Sequence, residues 1–208
     1  MEDVLQVYHM PRDEECPVVC MDETSKQLIE KTRPDLPMRP GDVHGYDYEY
    51  KRNGVRNLFL AFAPLEGWRR VEVTPRRTRE DWAEFVRQIL EENFPDAKKV
   101  ILVVDNLNTH TGASFYEAFP PEHARRLLDR LEIHYTPKHG SWLNMAEGEF
   151  SVLQRQCLDR RIGTEEEMKA EIKAWQAERN GQTIGADWQF TTEDARIKLR
   201  RLYPSLED

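Results

Sequence analysis

Two short apolar runs that each end in an acid constrain the fold of this 208-residue chain more than any other feature. Residues 18–21 precede Asp22, and residues 100–104 precede Asp105. Both runs are continuously apolar instead of alternating, which is typical of strands buried on both faces. We therefore predict a sheet covered by helices on both sides, with an acid where each of these two strands ends.

The rest of the chain supplies further strands and helices around these two. Residues 46–74 are rich in strand-forming residues, and turns at Asn53-Gly54 and Glu66-Gly67 would divide them into an antiparallel meander of three strands. Apolar residues at helical spacing predict helices over about 79–93, 121–131, 143–158 and 165–179, and a short strand over 132–135. This order predicts an α/β fold with a mixed sheet flanked by helices.

Composition and charge exclude several classes of protein. No apolar stretch approaches the length of a membrane-spanning helix, so we do not expect a membrane protein. The three cysteines are too few for a disulfide framework and the chain does not start with a secretion signal, so we expect a cytoplasmic protein. The net charge of -8 excludes a general basic field, so any contact with nucleic acid must come from local patches.

The acids at the strand ends are the first candidates for a functional site. Ligands of open α/β sheets bind in the crevice beyond the carboxyl ends of the strands, so Asp22 and Asp105 could face each other there. Either acid alone is more simply a turn residue. Glu147 and Glu149 are candidates for a third acid because they flank the apolar stripe of the helix over 143–158, and the helical spacing does not choose between them.

Three carboxylates that converge on one point repel one another unless cations neutralise them. Hard oxygen ligands, without a nearby set of thiols or imidazoles, favour Mg²⁺ or Mn²⁺ over zinc. Two such ions can hold both the attacking and the leaving oxygen of a displacement at phosphorus. A converging set of three acids therefore predicts phosphodiester chemistry with two metal ions.

Three strings in the sequence resemble the acidic motifs of a known family. VCMDET, VVDNLNTH and HYTPKHGSWLNMAEGEFSVLQRQCL are similar to the motifs of DDE transposases of the mariner-like superfamily, specifically its bacterial insertion-sequence branch. The resemblance extends over nearly the whole chain from about Pro17. It implies an RNase H-like fold with a mixed five-stranded sheet, and cleavage and transfer of DNA strands with two Mg²⁺ or Mn²⁺ ions.

The resemblance also implies roles for single residues. The catalytic and metal-binding acids fall on Asp22, Asp105 and Glu147, so the resemblance selects Glu147 over Glu149. Residues that support these acids without binding metal fall on Asn106, His110 and Asn144.

The same resemblance implies a domain organisation and partners. We expect a lead-in segment over residues 1–16, a catalytic domain over 17–160, and a helical extension over 161–208 packed on it. The implied partners are DNA, as element ends and target, and a second copy of the chain in a homodimer. The family also has an N-terminal helix-turn-helix region, for which there is no room before Asp22, so we expect a core from a longer transposase or a product started at an internal Met.

Basic residues near the predicted site are candidates for DNA contact, although a solvated surface explains them equally well. They comprise Arg69, Arg70, Arg76, Arg77 and Arg79, together with Lys138 and His139, and a basic tail over residues 196–201.

Two other functions remain open at the level of sequence. One is an RNase H-like nuclease that acts on other nucleic acids. The other is an inactive or regulatory transposase fragment that only binds a partner. The presence of all three acids argues against this second alternative.

Overall fold

The fold is built on one mixed sheet. In this computed structural model, residues 1–33, 48–138 and 140–203 are described. The strands are β1 (Val18–Lys31), β2 (Tyr50–Ala63), β3 (Trp68–Thr74), β4 (Val100–Val104) and β5 (Leu131–Tyr135). Their order across the sheet is β3-β2-β1-β4-β5. β1 pairs antiparallel with β2 and parallel with β4, so the predicted mixed five-stranded sheet is confirmed.

Helices cover both faces of this sheet. They are α1 (Glu2–Tyr8), α2 (Arg79–Gln88), α3 (Gly112–Ala118), α4 (Pro121–Asp129), α5 (Met145–Leu153), α6 (Glu165–Gly181) and α7 (Thr192–Lys198). Single π-helical turns extend α2 to Asn93 and α5 to Leu158. One apolar cluster contains side chains of α1, α5, α6 and α7, and the other contains side chains of α2, α3 and α4. The sheet therefore lies between two helical layers.

Two local expectations about the strands were wrong. β1 does not end at Asp22 but continues to Lys31, and it replaces the first strand of the predicted meander. Asn53-Gly54 is not a hairpin turn, because β2 runs through it. The register between β1 and β2 shifts there, so that Asn53 and Gly54 lie opposite Leu28 in a bulge, and Gly54 has a φ of 93°. The turn at Glu66-Gly67 is present between β2 and β3.

The lead-in segment is part of the packed structure. Val4 and Leu5 of α1 are fully buried in the same apolar cluster as Ile172 of α6 and Ala195 of α7. The domain boundaries after residues 16 and 160 stay a prediction, since α1 and α6 share this cluster with the sheet. Among the described helices, none combines the length and the apolar character needed to cross a membrane.

A buried ionic cluster joins β3 to α5 and α6. Glu149 Oε1 lies 2.9 Å from Nε of Arg69 and 2.9 Å from Nε of Arg179. Arg69 is fully buried, and its backbone N–H donates to Oδ1 of Asn180 at 2.9 Å. Burial lowers the pKa of Arg69, and the Glu149 carboxylate opposes that shift. Glu149 therefore neutralises buried positive charge between the sheet and two helices.

We predict that Glu149→Ala destabilises the fold. Removing this carboxylate leaves Arg69 buried without its counter-ion, which costs about 3–5 kcal/mol in free energy of unfolding. Urea denaturation measures this change. The control is Arg125→Ala, which removes an exposed pair with Asp129 and should cost less than about 1 kcal/mol. Equal losses for the two variants would contradict a structural role for Glu149.

Candidate active site

Strand register brings the first two acids together. Cys20 of β1 is the parallel partner of Val103 of β4, and continuing this register by two residues puts Asp22 alongside Asp105. β4 ends at Val104, so Asp105 is the first residue beyond it, whereas Asp22 lies inside the longer β1. Asp22 and Asp105 are therefore close because β1 and β4 pair in this register. The prediction that both strands end at these acids holds only for β4.

The start of α5 carries the third predicted acid. Asn144 is the N-cap of this helix, and its side-chain Oδ1 accepts from the backbone N–H of Ala146 at 3.1 Å. The Nδ2 of Asn144, which is buried, donates to the carbonyl oxygen of Met21 at 2.8 Å. Asn144 thus ties the first turn of α5, which includes Glu147, to β1 directly before Asp22.

The turn before α5 is also held from the lead-in helix. The Tyr8 hydroxyl donates to the carbonyl oxygen of Leu143 at 2.7 Å, and burial is the main cause that raises the pKa of Tyr8. The Tyr8 ring packs against Trp188, which in turn stacks on Trp142 with ring centroids 6.5 Å apart. α1 and the segment after α6 therefore support the turn that leads to Glu147.

The charges of the three acids act on one another. Burial raises the pKa of Asp22 to about 7, and the negative charges of Asp105, Glu23 and Glu147 add to this effect. The backbone N–H of Glu23 opposes the rise by donating to Asp22 Oδ1 at 2.8 Å. Asp22 therefore lies within electrostatic reach of both Asp105 and Glu147.

Glu149 does not join these acids. It faces Arg69 and Arg179 in the buried ionic cluster, on the other side of the apolar stripe of the helix from Glu147. Of the two candidates that helical spacing left open, Glu147 is the one whose charge acts on Asp22.

His110 connects Asp105 to a further acid. Nδ1 of His110 lies 2.6 Å from Oδ1 of Asp105 and 3.2 Å from the Asp105 carbonyl oxygen, while Nε2 lies 2.9 Å from Oε2 of Glu23. The ring is fully buried and stacks on Trp82 with centroids 5.2 Å apart. Burial would lower the pKa of His110, but hydrogen bonds and charges from Asp105 and Glu23 outweigh it and raise the pKa to about 9.

Glu23 lies at the site, in contact with His110, although the sequence did not indicate a role for it. Adjacent residues of a strand point to opposite faces, so Glu23 faces the layer of α2 and α3 while Asp22 faces α5. Val19 and Met21 on the Glu23 side pack in the cluster of α2, α3 and α4, and Cys20 on the Asp22 side packs in the other cluster. The sequence predicts that Asp22 and Glu23 face opposite sides of the sheet, but it does not predict that His110 lies next to Glu23.

The donor set of the three acids suits a hard divalent cation. Oδ1 of Asp105 is buried against His110, while the Asp105 side chain as a whole is 28% exposed. The charges of Asp105 and Glu147 raise the pKa of Asp22, a repulsion that a cation would relieve. Within the described ranges, no three His, Cys, Asp or Glu side chains are arranged as a finished metal-binding group. The fit to Mg²⁺ or Mn²⁺ therefore rests on the chemistry and the charge of these oxygen donors.

The predicted DNA-binding residues divide into several groups. The prediction that Arg69 contacts DNA was wrong, because its side chain is fully buried against Glu149. Arg70 is mostly buried and pairs with Glu92 at 3.0 Å, which leaves it little reach toward a ligand. The exposed members are Arg76, Arg77, Arg79 and Lys138, of which Arg79 pairs with Glu117 at 2.6 Å, and His139 lies outside the described residues.

Two further expectations concern exposed residues. The side chain of Asn106 is exposed and donates no hydrogen bond to the described acids, so the support expected from it is not seen. In the basic tail, Arg196 pairs with Glu2 at 2.7 Å and Lys198 pairs with Asp194 at 2.8 Å. These two cations are therefore already matched by acids of the chain.

The chain matches one family of proteins and several solved structures. The model of the DDE superfamily endonuclease family matches residues 17–169. No curated protein matches the chain.

Several solved structures share the fold. The Mos1 transposase paired-end complex with left transposon end is 17% identical at a TM-score of 0.55, with 81% of this chain and 51% of that chain covered. The Mos1 strand transfer complex is 16% identical at a TM-score of 0.55, with 81% and 50% covered. The Mos1 mariner paired-end complex with Mn is 16% identical at a TM-score of 0.57, with 87% and 55% covered. The chain thus spans about half the length of these proteins.

We predict that Asp22→Asn stabilises the protein in EDTA, and that the gain depends on pH. The pKa of Asp22 lies near 7 in the folded protein and near 3.8 when unperturbed, so its ionisation reduces stability as pH rises through this interval. Each unit of this difference corresponds to about 1.4 kcal/mol. The variant should therefore melt at a higher temperature than the unmodified chain at pH 8, with a gain that shrinks toward pH 4.

Asp129→Asn is the matched control, because Asp129 is an exposed acid on α4. It should not reproduce the pH-dependent gain. A gain for Asp22→Asn that is the same at pH 4 and pH 8 would contradict the raised pKa of Asp22, to which burial contributes most and the neighbouring acids add.

Proposed function

Because the chain belongs to the DDE superfamily endonucleases, we propose that it is the catalytic core of a DNA transposase. In this proposal it cleaves DNA strands at the ends of an insertion sequence and transfers them to a target. The observation that carries the proposal is geometric: the parallel register of β1 and β4 puts Asp22 alongside Asp105, and Asn144 ties the first turn of α5, with Glu147, to β1 directly before Asp22. The fold it shares with the Mos1 transposase supports the same conclusion.

Asp22, Asp105 and Glu147 are proposed to hold two Mg²⁺ or Mn²⁺ ions. When bound, such ions activate water or a 3′-hydroxyl for attack at phosphorus and stabilise the leaving oxygen. The carboxylate of Asp22 comes from the middle of β1, that of Asp105 from the end of β4, and that of Glu147 from the first turn of α5. Three separate elements therefore supply one set of oxygen donors.

Two neighbouring residues orient these acids in the proposal. His110 contacts Asp105 on one side and Glu23 on the other, so it fixes the orientation of the Asp105 carboxylate. Asn144 fixes the start of α5 against β1 and thereby the position of Glu147. Both act through an acid and not on the DNA itself.

The proposed partners are DNA and a second copy of the chain. One solved relative in fold is a complex with a transposon end, which supports DNA as the substrate. The homodimer rests on the resemblance of the sequence motifs to the transposase family. A cytoplasmic location is consistent with the three cysteines, all of which are free.

The first prediction of this proposal concerns the three acids. Asp22→Ala, Asp105→Ala and Glu147→Ala should each reduce Mg²⁺- or Mn²⁺-dependent nicking of plasmid DNA to background, because the remaining two acids cannot supply the missing oxygen donors. Glu166→Ala is the matched control, since Glu166 is also a first-turn helical acid but is exposed on α6. Activity that survives in the Glu147 variant would refute the assignment of the third acid.

The same assay discriminates between substrates. A transposase core should nick DNA duplexes, whereas faster cleavage of RNA–DNA hybrids of the same sequence would favour an RNase H-like nuclease. A folded chain that cleaves neither substrate with Mg²⁺ or Mn²⁺ would favour a regulatory fragment.

His110→Ala should lower metal-dependent nicking about 10- to 100-fold, as is typical when a residue that orients a metal ligand is lost. The loss should be partial because Asp105 itself remains. His110→Asn, which retains a donor near Asp105, should recover part of the activity. An unchanged rate in His110→Ala would show that Asp105 needs no support from the imidazole.

Metal binding should also be visible in the stability of the protein. Mn²⁺ at about 100 times its dissociation constant should stabilise the fold by about 2.7 kcal/mol, since it binds only the folded chain. Thermal melts with and without Mn²⁺ measure this effect, and Asp105→Asn should weaken it. A melting temperature of the unmodified chain that does not respond to Mn²⁺ would contradict the proposed site.

A further inference from the structure

An open groove lies between β1 and α5, next to the residues that follow Asp22 and Glu147 in these two elements. Its volume is about 380 Å³, and its lining residues are Thr24, Phe150, Ser151, Gln154, Arg155 and Leu158. Thr24 lies two residues beyond Asp22 on the same face of β1, and Ser151 lies one helical turn beyond Glu147 on α5. Both walls of the groove therefore continue directly from residues of the candidate active site.

The two walls are fixed to each other at the far end. Lys26 of β1 donates from Nζ to the carbonyl oxygen of Leu158, at the end of the π-helical turn, at 2.7 Å. Leu158 is buried in the apolar cluster of this face of the sheet. The groove is thus a preformed feature between two rigid elements.

This groove differs from two other surface grooves in the kind of charged residues that line it. A groove of about 400 Å³ beside β3 mixes Glu72 with three basic residues, and one of about 460 Å³ near the end of β1 mixes Glu30 and Glu167 with three basic residues. The groove next to the acids contains no carboxylate among its lining residues, and Arg155 supplies a positive charge. Its sign is therefore opposite to that of the acidic site it adjoins.

Arg155 is available for a ligand. Its side chain is exposed, and no acid among the described residues forms an ion pair with it. Several other arginines among the described residues are paired, as Arg87 is with Glu84 and Arg125 is with Asp129. Gln154 beside it is likewise exposed, whereas the Ser151 hydroxyl donates to the Glu147 carbonyl oxygen at 3.1 Å.

We propose that this groove holds the sugar–phosphate backbone of the DNA strand next to the phosphate that is cleaved, with Arg155 contacting a backbone phosphate. This inference rests on the proposed function, because it takes the adjoining acids as the cleavage site. Arginine and amide or hydroxyl side chains are the usual contacts to backbone phosphates, and such contacts position a strand without reading its sequence. Phe150, which is only partly buried, supplies apolar surface for the sugars.

The test compares the salt dependence of DNA binding in three variants of the full chain. Each neutralised phosphate contributes about 0.9 to the slope of log K against log salt concentration on duplex DNA. Arg155→Gln should lower this slope by about 0.9 and weaken binding at low salt, whereas Arg155→Lys, which keeps the charge, should retain the slope. Binding is measured by fluorescence anisotropy of a labelled mixed-sequence duplex in EDTA, with protein in the micromolar range.

Arg126→Gln is the matched control. Arg126 is also exposed and without an ion pair among the described residues, but it lies on α4, in the layer on the opposite face of the sheet from α5. Its replacement should leave both slope and affinity unchanged.

Several results would overturn the proposal. These are an unchanged slope in Arg155→Gln, equal losses in Arg155→Gln and Arg126→Gln, a loss of slope in Arg155→Lys, or no measurable binding by the unmodified chain. Plasmid nicking by the unmodified chain with Mn²⁺ is measured separately. Nicking that persists while the Arg155 results fail would reject the groove and retain the proposed function.

Discussion

The mutual repulsion of acids at one edge of the sheet is the constraint on which the rest of the structure depends. Asp22 and Asp105 are neighbours because β1 and β4 pair in parallel, and Glu147 approaches them because Asn144 fixes the start of α5 to β1. Burial, together with the charges of Asp105, Glu23 and Glu147, raises the pKa of Asp22 to about 7, so this arrangement disfavours its charged form. Burial of the two apolar layers must hold these acids together against that repulsion, and a divalent cation is the partner that would relieve it.

Two buried ionic groups, one on each face of the sheet, stabilise this arrangement. Behind Asp105, His110 lies between two carboxylates and is held by stacking on Trp82. On the other face, Glu149 lies between Arg69 and Arg179 and fixes α5 to β3 and α6. Two acids in the same helix, α5, thus have different roles: the charge of Glu147 acts on Asp22, whereas Glu149 neutralises buried arginines.

The sequence predicted the buried strands and the mixed sheet, because a strand buried on both faces leaves a continuous apolar run. It predicted the candidate acids because each of them lies in a motif of consecutive residues. It did not predict what depends on contacts between distant segments. Helical spacing could not separate Glu147 from Glu149, since what distinguishes them in the fold is their contacts with distant residues, Asp22 for Glu147 and Arg69 and Arg179 for Glu149. Arg69 was taken for a surface residue because nothing in its own neighbourhood in the chain indicates burial, and the extension of β1 beyond Asp22 was hidden because its outer half is polar.

The central claim is that three elements of the fold present one set of oxygen donors to divalent metal. The most direct measurement is a crystal structure of the chain soaked in Mn²⁺, with anomalous scattering recorded to locate the ions. We expect anomalous peaks in contact with carboxylate oxygens of Asp22, Asp105 and Glu147, and loss of these peaks in crystals of Asp105→Ala. Peaks confined to other residues, or the same peaks in the Asp105→Ala crystals, would contradict this claim.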